Sequence, residues 1–576
     1  MTETILLKNI LLTEDFFTLP SRIDELENNI LQYQQPNLIY QQDFFSGAGN
    51  EIIFGKGTGS AVSDATSETT SDLTPAADSR ATAFSNAMAV GIVNYANIYT
   101  GEGNDTILGI AEVSGISTAT AQTESALSNV YFTNVKDTSV ATVNVVVDAV
   151  GIRNTNNIST DKGNDTIVGV ANASASGKST ATSQAELVVG NNSAVAANSK
   201  AEVVVETLAI GLENTGKIYT GEGRDLVIGV ANASAMSEAE AAALAFNTTI
   251  LATGDGSQVI SEIEKAMTQG TASASATSLT TTLGLVNTGT IYTEKGNDVI
   301  VGIANNKSSS NSVATSAAGS IARDVAFATA DAKAEAIAEG SAVGIVNVGE
   351  INTGEANDIV IGIAIDTTGA SARADALAES FVSDSDAQAN TATLADTSNA
   401  ITIGIDNTSG RILTAKGNDQ VIGMGEVGIL GGNIYTGLGD DRLLGYGSDV
   451  GILDSNISLG KGSDFFQAAI TEFDPLTGAT SFDLDQSDSI KDSQVFGDRG
   501  NDTFEIGNFA GNVLIDGGQD VDSLRLQGNL DNYVYTVSAD NSTLTIESNG
   551  AILTVQNIEA IYTGTSDQAY SISDFA

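Results

Sequence analysis

The sequence predicts an all-β chain, a right-handed parallel β-solenoid that is β-roll-like, and three observations support this. A Gly-rich phrase that ends in Asp recurs along the 576 residues. The segments between its copies alternate small or apolar residues with polar ones, which is the period of a strand. Proline, which cannot donate to a β-ladder, is absent between Pro75 and Pro475. Together these observations indicate a long stack of paired strands.

The recurring phrase sets the period of the stack. "IYTGEGNDTILGIA" at 98–111 returns as "ISTDKGNDTIVGVA" at 158–171 and "IYTGEGRDLVIGVA" at 218–231, with further copies downstream. The last Asp of each copy falls at Asp105, Asp165, Asp225, Asp298, Asp358 and Asp419, and then at the closer positions Asp441, Asp464, Asp502 and Asp522. A degenerate first copy has Glu51 at this position. Because the rungs of a stack must match in length, the spacing predicts repeats of ~60 residues followed by repeats of ~22 residues.

The Ala-rich inserts between the phrases are predicted as long strands. In 326–340, every even position from Ala326 to Ala338 is Ala, and most odd positions are polar or charged. Ala, Glu and Lys are also strong helix formers, so local helices at 237–246 and 257–269 remain an alternative. The second of these segments lies in the one repeat that is longer than its neighbours.

Composition divides the chain into four parts. Residues 1–45 are rich in Leu, Ile, Phe and Tyr, which predicts an N-terminal cap or docking segment. The long-period solenoid body follows over 46–430, and the short-period repeats occupy 431–526. Residues 527–576 alternate as in "YVYTV", which predicts a C-terminal β-element.

Charge and missing residue types limit the function. With 72 acidic and 24 basic residues the formal net charge is −48, which disfavours nucleic acid and anionic membranes and favours hard cations. His and Cys are both absent, so the commonest catalytic bases, thiol nucleophiles and zinc ligands are missing, and we expect no enzyme. The sequence contains no run of 18 apolar residues, so it predicts no membrane-spanning helix. The N-terminus lacks the features of a cleaved signal peptide.

Several turns resemble a known calcium-binding repeat. "TGEGNDTIL" (100–108), "TGLGDDRLL" (436–444), "LGKGSDFFQ" (459–467) and "GDRGNDTFE" (497–505) are similar to the nonapeptide G-G-x-G-x-D-x-U-x of RTX, or haemolysin-type, proteins. Copies spaced over 46–526 carry the resemblance. They depart from the pattern where Asp161, Glu294 and Ala415 replace one Gly and Ala356 replaces another.

The resemblance implies Ca²⁺ as the bound cofactor, held by carboxylates and backbone carbonyls. The implied ligands are the aspartates Asp105, Asp165, Asp225, Asp298, Asp358, Asp419, Asp441, Asp464, Asp502, Asp520 and Asp522, with Gly437, Gly439, Gly497 and Gly500 contributing carbonyl oxygens. From the residues alone, a purely structural Asn/Asp–Gly turn remains open as the alternative.

The resemblance also implies a biological setting. RTX proteins leave the cell by type I secretion with an uncleaved C-terminal signal, and the tail "SISDFA" is compatible with one. The composition is similar to that of oscillin-like surface-fibril and surface-layer proteins of cyanobacteria. We therefore expect a secreted, calcium-stabilised structural protein of the cell surface or extracellular matrix that assembles head-to-tail into filaments or a layer. The alternative is an adhesin of the RTX type that binds a carbohydrate or a cell surface.

Overall fold

Parallel strands stacked in layers form most of the chain. The computed structural model describes residues 30–33, 38–71, 76–127, 134–188, 193–248, 265–322, 325–381, 384–397, 401–473, 480–482, 488–526, 533–564 and 566–576. Within these residues the chain is all-β and parallel strands form a coiled sheet, as the sequence predicts. The one helix described is the 3₁₀ turn Ile572–Phe575.

Each of the first six full layers contains three strands, which we call outgoing, return and short. The outgoing strands are Ile52–Ser71, Thr106–Leu127, Thr166–Val188, Leu226–Thr248, Val299–Ile321 and Ile359–Phe381. The return strands are Ala76–Asn94, Asn134–Asn154, Ser193–Asn214, Lys265–Asn287 and Val325–Asn347, and in the sixth layer Asp384–Asp396 followed by Ile401–Asp406. The short strands are Asn97–Tyr99, Asn157–Ser159, Lys217–Tyr219, Thr290–Tyr292, Glu350–Asn352 and Arg411–Leu413.

Later layers lack the long inserts. Their strands are Gln420–Leu430, Asn433–Leu438, Arg442–Leu453, Asn456–Lys461, Phe465–Phe473, Thr480–Phe482, Asp488–Lys491, Gln494–Phe496, Thr503–Ile506, Phe509–Ala510, Asn512–Asp516 and Ser523–Leu526. The C-terminal strands are Val534–Val537, Thr543–Ser548, Ala551–Gln556 and Ala560–Thr563. Val534–Val537 and Ala551–Gln556 both pair antiparallel to Thr543–Ser548, so the parallel order is broken at this end of the stack.

Equivalent residues pair from layer to layer. Thr166 pairs with Thr106 in the layer before and with Leu226 in the layer after. The shorter layers continue the same ladder, because Gln420 pairs with Ile359 on one side and with Arg442 on the other. The long and short repeats therefore belong to one stack.

The period-2 reading of the inserts is confirmed. The segment 237–246 lies within the outgoing strand Leu226–Thr248, so the helical alternative is wrong there. Ala239, Ala241, Ala243 and Ala245 face the interior at every second position, and the pairing of 23-residue strands outweighs the helix propensity of the segment. Of the second candidate helix, residues 265–269 belong to the strand Lys265–Asn287, and 257–264 lie outside the described residues.

The layers enclose two interiors. One is a core of large aliphatic side chains, such as Ile107, Ile152 and Ile158, bounded by the starts of the outgoing strands, the ends of the return strands and the short strands. The other is a thin interior of Ala and Val between the long outgoing and return sheets. We call the first part the stalk and the second part the wing. Strands of 23 residues span roughly 75 Å at ~3.3 Å per residue, and most of that length lies in the wing.

Glycine separates the stalk from the wing. A Cβ atom on Gly109 would lie 2.3 Å from the carbonyl oxygen of Gly151, and one on Gly91 would lie 2.4 Å from the amide nitrogen of Ile110. The outgoing and return backbones therefore touch here, and only glycine permits that approach. This contact explains why a Gly stands at the same point of successive outgoing strands, as in "ILGIA" at 107–111, and of successive return strands, as in "AVGIVN" at 89–94.

The ends of the stack use the terminal segments of the chain. Leu38–Tyr40 pairs with Ile92–Asn94, and Phe44–Phe45 pairs with Ile98–Tyr99. Ile30–Tyr33 pairs with Ile52–Gly55. The described part of the predicted 1–45 segment thus forms a partial first layer, and the rest of that segment lies outside the described residues. In the part of the chain that is described, no helix is long and apolar enough to cross a membrane.

Candidate functional site

The recurring phrase folds into a six-residue turn, which we call the Asp turn, between each short strand and the next outgoing strand. In the first one, 100–105, the second and fourth residues Gly101 and Gly103 have φ values of 90° and 153°. The residues that replace glycine at these places keep the left-handed conformation, namely Asp161 (φ 63°), Glu294 (φ 71°), Ala356 (φ 100°), Ala415 (φ 62°), Asp498 (φ 69°) and Asp520 (φ 89°). Such a conformation costs a non-glycine residue roughly 1–2 kcal/mol. The stack therefore imposes the turn geometry even where the sequence departs from glycine.

The last residues of the Asp turns form a single buried column. Asp105, Asp165, Asp225, Asp298, Asp358, Asp419, Asp441, Asp464, Asp502 and Asp522 are each at most 2% exposed. The structure therefore brings ten of the eleven predicted aspartates into one line through the stalk. The eleventh, Asp520, is exposed and is the fourth residue of the last turn, with a φ of 89°.

One hydrogen bond repeats along the whole column. The backbone N–H of each aspartate donates to Oδ1 of the aspartate one layer later, at 2.8–2.9 Å. The bond spans 60 residues between Asp105 and Asp165, but only 22 between Asp419 and Asp441. At the ends, Glu51 N–H donates to Asp105 Oδ1, and Asp522 N–H donates to Glu559 Oε2. The column is therefore continuous across both repeat lengths.

The second carboxylate oxygen, Oδ2, is different. In each of the ten aspartates Oδ2 is buried and has no hydrogen-bond partner among the described residues. A buried polar atom without a partner carries a desolvation cost of about 1–3 kcal/mol, and more if it is charged. Ten such oxygens in one line indicate that something neutralises the column, either protons or a bound cation.

Burial raises the pKa of the column carboxyls. Desolvation is the largest cause at every position. It is partly opposed by the nearby threonine hydroxyl of the turn at Asp225 and Asp358, and by the hydrogen bond from the preceding backbone N–H. Together with the charges of neighbouring column carboxylates, it raises the pKa of Asp225, Asp358 and Asp464 to about 8. The pKa of Asp165, Asp419 and Asp502 is raised to about 7, that of Asp105, Asp298 and Asp522 to about 6, and that of Asp441 in the same direction. Protons can therefore neutralise much of the column near neutral pH.

A second column shows what a fully bonded ladder looks like. Asn94, Asn154, Asn214, Asn287, Asn347 and Asn407 end the return strands and are completely buried. Each Nδ2 up to Asn347 donates to the next Oδ1 at 2.7–2.8 Å. The same Nδ2 also donates to a backbone carbonyl, for example Asn154 Nδ2 to Lys217 O at 3.0 Å. An amide both donates and accepts, whereas an ionised carboxylate only accepts, and this difference explains why the aspartate column has orphan oxygens.

The outer tips of the Asp turns carry a charge ladder that the sequence analysis missed. The third residues of successive turns alternate in sign, as Glu102, Lys162, Glu222, Lys295, Glu355 and Lys416. Glu222 lies 3.5 Å from Lys162 Nζ and 2.9 Å from Lys295 Nζ, and Lys416 Nζ lies 2.5 Å from Glu355. The regular alternation at one turn position was the signal. Exposed pairs of this kind contribute at most about 1 kcal/mol each, so their main effect is to fix register.

The turns fit a calcium ion only in part. Ca²⁺ prefers oxygen ligands such as carboxylates, and each Oδ2 of the column lacks a hydrogen-bond partner among the described residues. A calcium ion needs 6–8 oxygen ligands, however, and one Oδ2 per layer is far fewer. The carbonyl between the two left-handed residues already accepts a hydrogen bond, as Glu222 O does from Gly163 N–H and Lys461 O does from Gly439 N–H. The described residues contain no group of three or more acidic side chains placed to hold a metal. As arranged, the turns do not supply a complete calcium shell.

The glycines predicted as carbonyl ligands take part in the same backbone ladder. Gly437 and Gly439 have φ values of 106° and 134°. Gly497 N–H donates to Asp516 O at 2.8 Å, and Gly500 N–H donates to Gln519 O at 3.1 Å. Their positions are consistent with a turn that is held by layer-to-layer hydrogen bonds.

Comparison with known proteins gives this site no relatives. Neither a scan against protein-family models nor a search of the curated proteins finds a match to the chain.

Proposed function

We propose that the protein is a structural element of the cell surface or extracellular matrix. The observation that carries this proposal is the continuous aspartate column from Glu51 to Glu559, which couples every layer to the next. The wide, thin wing adds a large area of hydrogen-bonded sheet for its mass. A stack in which each layer stabilises its neighbours suits a load-bearing or surface-covering role.

The finer architecture belongs to the same proposal. The coil is right-handed and β-roll-like, with layers of ~60 residues followed by layers of ~22 residues. The layer-to-layer pairings of Thr166 with Thr106 and of Gln420 with Arg442 support this order of repeat lengths.

Export and calcium complete the proposal. The chain leaves the cell without a cleaved N-terminal signal. Its secretion signal lies in 527–576, where antiparallel strands interrupt the parallel order. Calcium binding remains a prediction, and the orphan Oδ2 atoms are the ones it would involve. We assign it to the short-period layers, where the sequence departs least from the calcium-binding pattern.

Head-to-tail assembly needs an open end. Residues 38–45 pair with their own chain, so a neighbouring molecule would add to the outer edge of that first layer. Such a contact does not close on itself and therefore produces a filament. Calcium would reduce the repulsion between chains of net charge −48.

Electron microscopy with and without calcium tests this function. Full-length protein should appear as a flat wing on a narrower stalk, and it should form filaments or sheets when calcium is added. A chain that lacks 1–45 loses the first-layer strands to which a neighbour would add, and it should stay folded over its remaining layers without forming filaments. Single particles under all conditions, or unchanged filaments from the shortened chain, would contradict the assembly.

A second candidate function is adhesion to a carbohydrate. It is favoured by an aromatic stripe on the outer face of the stalk, where Phe45 stacks on Tyr99 at 5.0 Å and Tyr219 lies against Tyr292 at 5.7 Å. Aromatic rings in this setting offer flat apolar surfaces with a polar edge.

A further inference from the structure

The aromatic stripe has a gap that forms a recess. The third residues of successive short strands run Tyr99, Ser159, Tyr219 and Tyr292, each paired with the next. Ser159 removes one ring from the stripe, so the two flanking tyrosines are two layers, or roughly 10 Å, apart. A groove of about 750 Å³ lies beside this gap, and it is lined by Ser159, Tyr219 and Tyr292 but not by Tyr99.

The groove is lined by groups that suit a polyol. It is lined by the outward-facing Ser159, Tyr219 and Tyr292 and by Asn156, Asn157 and Lys217. Amide, hydroxyl and ammonium groups together both donate and accept hydrogen bonds. The ring faces supply apolar area beside them.

One side of the groove is held by a strained residue. The Tyr219 hydroxyl donates to Glu294 Oε2 at 2.5 Å. Glu294 has a φ of 71°, at a turn position where the layers on either side have Gly221 and Gly354. A glycine would be easier to place there, and it is the Glu294 side chain that holds the Tyr219 ring through this hydrogen bond.

The charges around the groove oppose each other. The hydrogen bond to Glu294, burial and the nearby Asp161 carboxylate raise the pKa of the Tyr219 hydroxyl. The carboxylates of Glu294 and Asp161 therefore both lie near this hydroxyl. Lys217 also lines the groove, as the first residue of the short strand that ends at Tyr219. An anionic sugar would meet the carboxylates and an ammonium ligand would meet the lysine, so an uncharged ligand fits both.

We infer that this groove, between Ser159 and Tyr292 on the outer face of the stalk, binds a neutral glycan chain, with a hexopyranose ring packed on Tyr219. The chain lies along the stalk axis, because the Tyr219 and Tyr292 rings follow one another from layer to layer. The inference rests on the second proposed function and names its site and ligand class. It does not depend on filament formation.

Calorimetric titration of the full-length protein with four neutral hexasaccharides (cellohexaose, maltohexaose, mannohexaose and chitohexaose) tests the inference. At least one should bind, and Tyr219→Ala should weaken that binding by tenfold or more. Tyr435→Ala is the matched control, because Tyr435 is an exposed tyrosine on the same face that does not line the groove. It should leave the affinity unchanged.

Glu294→Gly separates a binding role from a structural one. Removing the strained side chain should leave the thermal stability equal to or above that of the native protein, while the affinity for the sugar falls severalfold. Absence of binding by all four sugars would overturn both the groove and the adhesin function. Binding that survives Tyr219→Ala and Glu294→Gly would overturn the groove alone and leave an adhesin with its site elsewhere.

Discussion

The substitution Asp225→Asn probes how the aspartate column is neutralised. Asn keeps Oδ1 as acceptor for the Asp165 N–H, a bond of 2.9 Å in the native protein. Its Nδ2 replaces the orphan Oδ2 and can donate to the Thr220 hydroxyl, which has no partner of its own among the described residues. The variant therefore exchanges an unsatisfied acceptor for a donor without a change in side-chain volume.

The size of the expected change in stability follows from the raised pKa of Asp225. Burial raises the pKa of Asp225 from 3.8 to about 8, and each unit is worth 1.36 kcal/mol, so ionising this carboxyl costs on the order of 5 kcal/mol at most. Because the folded pKa is raised, the native protein has its full stability below about pH 4 and loses it as the pH rises through about 8. Asn has no such loss. The variant should match the native protein near pH 4 and exceed it near pH 9.

Thermal unfolding in chelator, followed by circular dichroism at these two pH values, measures the effect. A gain of about 5 kcal/mol corresponds to a rise in Tm of roughly 4 °C for a cooperatively melting chain of this length. Asp64→Asn, which removes an exposed charge from the first outgoing strand, is the control for net charge. A lower Tm for Asp225→Asn near pH 9 would refute the reasoning, because it would mean that the ionised carboxylate stabilises the fold.

Three further substitutions test other parts of the stack. Asn214→Asp removes the Nδ2 group that donates to Asn287 Oδ1 and Thr290 O. It should lower the free energy of unfolding at neutral pH by several kcal/mol, as measured by denaturant titration. Unchanged stability would contradict the role of the asparagine column. Gly109→Ala places a Cβ 2.3 Å from Gly151 O and should cost about 3 kcal/mol or more in the same assay, whereas a neutral effect would mean that the two backbones separate easily. Ala356→Gly relieves a φ of 100° and should raise the unfolding free energy by about 1 kcal/mol; a loss instead would show that the turn is not strained.

The sequence contains enough information to predict the layers. Strands follow from the alternation around Ala326, and the equivalence of Asp105 with Asp165 follows from spacing alone. Even the turn conformation is foreseeable, because Asp161 and Ala415 stand where the pattern needs a residue with positive φ. Local composition was misleading at 237–246, where a segment of helix formers is a strand because its neighbours in both adjacent layers are strands.

The role of the aspartates could not be read from the sequence. An Asp that ends a Gly-rich turn can ligate an ion or accept a hydrogen bond from the next layer, and the spacing is the same in both cases. Only the three-dimensional register shows that Asp165 Oδ1 faces the Asp105 N–H. The close contact at Gly109 was equally hidden, because it depends on how the outgoing and return sheets meet across the layer.

Infrared titration of the carboxyl groups in chelator tests the central claim, the buried column of hydrogen-bonded aspartates, most directly. Our account predicts that the absorption of protonated carboxylic acid persists above about pH 6, long after exposed carboxyls have ionised, and that Asp225→Asn removes part of it. If all carboxyl groups ionise near the ordinary Asp value of about 4, the column is not neutralised by protons and the account is wrong.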